Sequence, residues 1–178
     1  MSLEALLESL PAHAKDLKLN LGAVLRQTEL TPTQLWGTAV ACAYASRNAQ
    51  LRDVIVEEAG KVLEPVAMEA AKSASAIMGM NNIYYRFLHL VEHPKYAEIP
   101  ARLRMNVIRM HGIAPVDFEL FCVAVSAING CGACMASHDR VVREKGLAEE
   151  SVLASVRIAS VIHAVAVVLD GATPAASA

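Results

Sequence analysis

PVDFELFCVAVSAINGCGACMASHDRVVREKG, residues 115–146, decides the fold. Pro115 opens a strongly apolar run through Ile128, and proline suits the first helical position because its fixed φ fits and its missing N–H would be unpaired there anyway. Asn129-Gly130 stops that run. A second helix is predicted from Gly132 to Lys145, with Gly146 as its left-handed cap. The stretch therefore reads as two antiparallel helices joined at a glycine turn, with the pair Cys131 and Cys134 just beyond it.

Outward from this hairpin the punctuation stays helical. Leu3 to Leu19 carries apolar residues at three- and four-residue spacing, mildly broken at Pro11. Thr31-Pro32-Thr33-Gln34 is a helix-start signal leading into Leu35 to Ser46. Glu64-Pro65 opens a helix to about Met78, Asn81-Asn82 marks a break, and Ile83 to Val91 forms a further helix before Pro94. Leu103 to Met110 reads as a short helix, and Glu149 to Leu169 closes the fold. No segment alternates like a strand, so the fold class is all-α. One domain is expected over residues 1–170, with residues 171–178 a frayed tail. Ser75 to Met80 resembles Ser126 to Cys131 at an offset of 51 residues. That similarity is read as a duplicated helix-Gly-helix unit, against the plainer alternative of chance likeness between two alanine-rich helices.

Composition narrows the function. The 178 residues are 54% hydrophobic and 19% charged, with a formal net charge of −2, so the chain can bury a core without staples. This much apolar material also predicts burial between subunits. Acidic and basic residues are interspersed, which leaves no electrostatic footprint for nucleic acid. Met1-Ser2-Leu3-Glu4 lacks the basic start of a signal peptide. Val152 to Leu169 is apolar, but Arg157 and His163 interrupt it, so it reads as a bundle helix and not a membrane span. A soluble cytoplasmic protein is expected, and there a C-x-x-C is catalytic or metal-binding more often than structural.

The chemistry concentrates around that pair. At about 100° per residue, Cys131, Cys134 and His138 share an arc of roughly 60° on one helix face. Both cysteines fall in the first turn, where unpaired N–H groups and the helix dipole stabilise a thiolate. Helix position alone favours Cys131, nearest the end, as the more acidic thiol. Glu119 lies about 16 Å up one arm of the hairpin and His138 about 12 Å up the other, less than one turn of mismatch. A carboxylate in so apolar a helix needs a partner, and His138 is the one within reach. A zinc site built from Cys131, Cys134, His138 and Glu119 is the alternative, although no second cysteine pair follows. Met135 after Cys134 excludes c-type haem attachment, and iron–sulfur ligation lacks further cysteines. Cys42 and Cys122 read as inert core residues, Trp36 as a packing anchor, and His163 as a packed or interface residue. His89, His93 and His111 have no spaced partners.

Glu119 followed by Cys131-x-x-Cys134-x-x-x-His138 resembles the AhpD-type alkylhydroperoxidases, within the larger carboxymuconolactone decarboxylase-like group. Lys15 to Leu21, Gln34 to Thr38, Ala76 to Asn82 and Phe118 to Leu120 look like stretches of the same proteins, so the resemblance covers nearly the whole chain. It implies an all-α homotrimer with no bound cofactor or metal and a lipoyl-dependent peroxidase activity. It further implies an AhpC-type peroxiredoxin partner, with electrons from a dihydrolipoyl group on the acyltransferase of a 2-oxo acid dehydrogenase complex. By position, Cys134 would be the peroxidatic thiol that becomes a sulfenic acid. Cys131 would donate the proton and then resolve the intermediate as the Cys131–Cys134 disulfide, with His138 and Glu119 as the proton relay. The family pattern carries a histidine immediately before the second cysteine, where this chain has Ala133. That departure motivates a rival: a redox adaptor that only relays electrons to the peroxiredoxin. A decarboxylase-like activity would leave the cysteine pair without a role.

Overall fold

The computed structural model describes residues 1–172. Nine α-helices lie among them, in the order α1 Leu3–Ser9, α2 Lys15–Val24, α3 Pro32–Ser46, α4 Ala49–Ala59, α5 Pro65–Val91, α6 Pro94–Glu98, α7 Pro115–Asn129, α8 Gly132–Glu144 and α9 Glu149–Ala172. Among the described residues there is no strand, and the all-α expectation is met.

Helix α7 is the central post, packed against α3, α5, α8 and α9. Every residue from Leu120 to Ser126 is buried, so the run is apolar on all faces and shows no amphipathic period. Helix α3 is similarly buried from Gly37 to Ala43. The two approach closely because Gly37 has no side chain: a Cβ there would fall 2.1 Å from Phe121 Cζ. Thr31 and Gln34 form the capping box expected at the start of α3. Gln34 Nε2 also donates to Asp117 Oδ1 at 2.8 Å, tying that helix end to the first turn of α7.

Several expectations change. Pro11 separates two helices through a short 3₁₀ turn at Ala12–Ala14 and does more than kink one. Helix α4 was not anticipated. Arg47 enters the left-handed region at φ 66° and ends α3, and the Asn48 side chain then accepts from Leu51 N–H at 2.8 Å to start α4. Helix α5 is continuous through Asn81 and Asn82, which correct the expected break. Asn82 is fully buried and its amide is paired, donating to Ser126 Oγ and accepting from Asn129 Nδ2, both at 2.9 Å. Those partners lie on α7, so tertiary hydrogen bonds override a weak helix former. The same continuity removes the helix-Gly-helix form of the supposed first repeat, since Gly79 lies mid-helix. Of Leu103 to Met110 only Asn106–Ile108 is helical, as a 3₁₀ turn. Helix α6 is an additional short piece.

Helix α9 runs to Ala172, past the expected boundary at residue 170; the rest of the predicted tail, 173–178, lies outside the described residues. Among the described residues α9 is the one helix long and apolar enough to cross a membrane. Here its Val152, Ile158, Ile162, Val165 and Leu169 are buried, and it packs against α2, α3 and α7 as a bundle helix.

Candidate active site

The site grows from the end of α7. Gly130 takes φ 68°, its N–H donates to Ala127 O at 3.2 Å, and Cys131 N–H reaches back to Ser126 O at 3.1 Å. These two bonds make a Schellman closure and reverse the chain within three residues. Arg86, from α5, donates through Nη1 to Asn129 O at 2.5 Å, so a further carbonyl at this helix end is satisfied. With Asn82 alongside, α5 clamps the turn that presents the cysteines.

Cys131 is the N-cap of α8, and its Sγ accepts from Cys134 N–H at 3.3 Å. The sulfurs of Cys131 and Cys134 are in disulfide contact, with Cα atoms 5.3 Å apart, inside the range such a bridge needs. Cys131 is completely buried and Cys134 is 5% exposed. His138, one turn further along α8, holds Glu119 across the hairpin: Nδ1 and Oε2 are 2.6 Å apart, and the side chains are only 14% and 16% exposed. The contact anticipated from helical rise is therefore made. With Nδ1 engaged by the carboxylate, Nε2 is the nitrogen available for proton transfer.

A cavity of about 230 Å³ opens beside this pair. Cys134, Ser137, His138 and Ala133 form its α8 wall; Asn81 and Tyr85 of α5 face them, and Met105 and Ile108 close the side. Cys131 is not among the lining residues. The two sulfurs are thus inequivalent in their surroundings, Cys134 facing the cavity and Cys131 fully buried away from it. Ala133 contributes a methyl group to the wall.

Sequence reasoning missed Asn81, Tyr85, Met105 and Ile108 because they come from a distant helix and an irregular segment with no period. It also passed over His111, whose ring stacks on Phe118 at 4.3 Å between centroids and 9° between planes. His111 Nδ1 accepts from Ile113 N–H at 3.3 Å. Desolvation lowers its pKa, opposed by the Glu119 charge. Cys42 and Cys122 are buried as expected, and burial pushes both thiols up, for Cys122 with help from Glu119. They are unsuited to thiolate chemistry. His163 is exposed, beside a separate polar cleft with Arg47 and Arg86, and takes no part in the site. For the zinc alternative, His138 is already committed to Glu119, and no three His, Cys, Asp or Glu side chains among the described residues converge as a metal requires.

An all-helical fold with a dithiol at the hairpin turn is the class in view, and residues 94–177 match the family model described as "Carboxymuconolactone decarboxylase family". Similarity to individual proteins is closer and longer. Alkyl hydroperoxide reductase AhpD of Solibacter usitatus is 63% identical over 170 residues, covering 96% of each chain. The proteins of the same name from Koribacter versatilis and Gluconacetobacter diazotrophicus are 58% and 59% identical, covering 98% and 97% of this chain and 90% and 94% of theirs. The chain belongs to the AhpD family.

Proposed function

We propose that the protein is an alkyl hydroperoxide reductase that works through the Cys131–Cys134 dithiol. The observation that carries this reading is the division of labour in the geometry. Cys134 faces a cavity beside His138, and Cys131 is buried behind it at disulfide reach. In the reduced protein the Cys134 thiolate attacks the distal oxygen of the hydroperoxide. The O–O bond breaks, an S–O bond forms, and the alcohol leaves with a proton supplied by the Cys131 thiol through His138. The Cys131 thiolate then attacks the Cys134 sulfur, the S–O bond breaks, and the hydroxide leaves as water with the proton released through His138 when the Cys134 thiolate formed, which closes the disulfide. Glu119 orients the imidazole and supports its protonated form during these transfers.

The oxidised pair returns to the dithiol by exchange with a second dithiol, through a mixed disulfide. In this reading the donor is the dihydrolipoyl group of an acyltransferase in a 2-oxo acid dehydrogenase complex, and an AhpC-type peroxiredoxin is the protein partner whose oxidised cysteines are reduced. The protein acts in the cytoplasm as a homotrimer, its residues 1–170 forming one domain. Phe87, Leu90, Ile99 and Met110, left exposed around the end of α5 and the following segment, support burial between copies. Cys134→Ser is expected to abolish turnover with dihydrolipoamide and tert-butyl hydroperoxide; unchanged turnover overturns the assignment.

Ala133 supports a second reading. Where the family pattern has a histidine, the cavity wall here has a methyl group and one proton-carrying group fewer. The protein would then pass electrons to the peroxiredoxin without reducing peroxide itself. Peroxide consumption measured with and without the peroxiredoxin separates the two, because consumption by the protein alone excludes the adaptor.

A further inference from the structure

Two adjacent asparagines of α5 are buried, and they differ in one respect. Asn82 pairs its amide with Ser126 and Asn129. Asn81 is 4% exposed, and its side-chain carbonyl oxygen, Oδ1, has no hydrogen-bond partner in the protein. A buried amide oxygen left unpaired costs stability, and native packing rarely retains one without a use. Asn81 lines the same cavity as Cys134 and His138, and its main-chain carbonyl lies 4.0 Å from Cys134 Sγ. The remaining lining is largely apolar, with Tyr85, Met105 and Ile108 on the Asn81 side. The unpaired acceptor thus belongs to a residue of the cavity wall next to the sulfur that reacts; Oδ1 itself is closed to solvent here, so a turn of the Asn81 amide is what presents it to a ligand.

We infer that Asn81 Oδ1 is a substrate-binding acceptor that receives the O–H of the hydroperoxide and holds its distal oxygen against Cys134. This rests on the peroxidase reading above and deepens it. A hydroperoxide carries one donor, on the oxygen that the thiolate must attack, and an organic remainder suited to the apolar walls. Accepting from that hydroxyl places the distal oxygen at the sulfur and directs the leaving RO group toward Met105 and Ile108. When the O–O bond breaks, the same hydrogen stays on the oxygen transferred to sulfur, so Asn81 keeps its hydrogen bond to the Cys134 sulfenic acid. The electron pair of the O–O bond leaves with RO, which takes up the relay proton and departs as the alcohol.

The test compares two oxidants of the reduced protein. One is tert-butyl hydroperoxide, which has an O–H donor; the other is diamide, which oxidises dithiols and has none. Single-turnover loss of the two reactive thiols is followed in wild type, Asn81→Leu, which matches the shape without the acceptor, and Asn81→Ala in case leucine disturbs folding. The expected result is a hydroperoxide rate about tenfold lower in both variants, with the diamide rate unchanged. A hydroperoxide rate within twofold of wild type overturns the inference and leaves the peroxidase reading intact. Equal slowing with both oxidants also overturns it, by reducing Asn81 to a packing residue. A wild-type dithiol that diamide oxidises but the hydroperoxide does not overturns the peroxidase reading and the inference together.

Discussion

Replacing Glu119 with glutamine removes one charge and keeps nearly the same shape. In the native site the carboxylate lies 2.6 Å from His138 Nδ1, and both side chains are at least four-fifths buried. At an effective dielectric near 20, unit charges about 4 Å apart attract by about 4 kcal/mol before solvent competes. Solvent exchange reduces this, and hydrogen bonds to charged groups are worth about 1.5–3 kcal/mol net. That support is withdrawn from the imidazolium whenever His138 carries the proton of the leaving alcohol. At 1.36 kcal/mol per factor of ten, the peroxide step should slow by about ten- to a hundredfold. The assay is single-turnover oxidation of the reduced protein by tert-butyl hydroperoxide, with the dithiol content of each preparation measured beforehand. Reduced Glu119→Gln reacting within twofold of wild type would refute the relay.

Gly37→Ala tests the packing of α3 on α7. The added Cβ would meet Phe121 Cζ at 2.1 Å, and that ring is fully buried. Overpacking of about 1–3 kcal/mol exceeds the helix-propensity gain of at most about 1 kcal/mol. A melting temperature lower by about 3–8 °C is expected, and an unchanged or raised value contradicts the packing. Iodoacetamide should label Cys134 first in the reduced native protein and spare the buried Cys42 and Cys122 until denaturant is added. Labelling of either at a rate like that of Cys134 would contradict their raised thiol pKa values. His111 gives a pH signature. Its folded pKa is depressed by desolvation, so its contribution to stability is complete above the ordinary histidine value near 6.5 and is lost as pH falls through the folded value. Between pH 7.5 and 5, wild type should lose more thermal stability than His111→Phe, which keeps an aromatic ring against Phe118; a difference that does not change with pH would remove this role.

The Glu119–His138 contact was legible because two regular helices meeting at a glycine turn make height along each arm a matter of arithmetic. The dithiol was legible for a similar reason, since spacing and the helix start place both sulfurs together. The cavity was not legible. Asn81 and Tyr85 stand some fifty residues before the motif, and Met105 and Ile108 sit in a segment whose only helical piece is one 3₁₀ turn. No local period announces them. Asn81-Asn82 misled for a physical reason, because asparagine is a poor helix former whose cost at Asn82 is offset by hydrogen bonds to another helix. Helix α4 carried readable signals in the Asn48 cap and in Leu51, Val54 and Ile55 at helical spacing. The difference in burial between the two sulfurs was not legible either, since the macrodipole argument contains only height along the helix.

The inequivalence of those sulfurs is tested most directly by mass spectrometry of the reduced Cys131→Ser variant after tert-butyl hydroperoxide in the presence of dimedone, which captures sulfenic acids. A single dimedone adduct on Cys134 is expected, and in parallel wild-type protein a Cys131–Cys134 disulfide with Cys42 and Cys122 still reduced. An adduct on Cys131 in the Cys134→Ser variant, with none on Cys134 in Cys131→Ser, would contradict it.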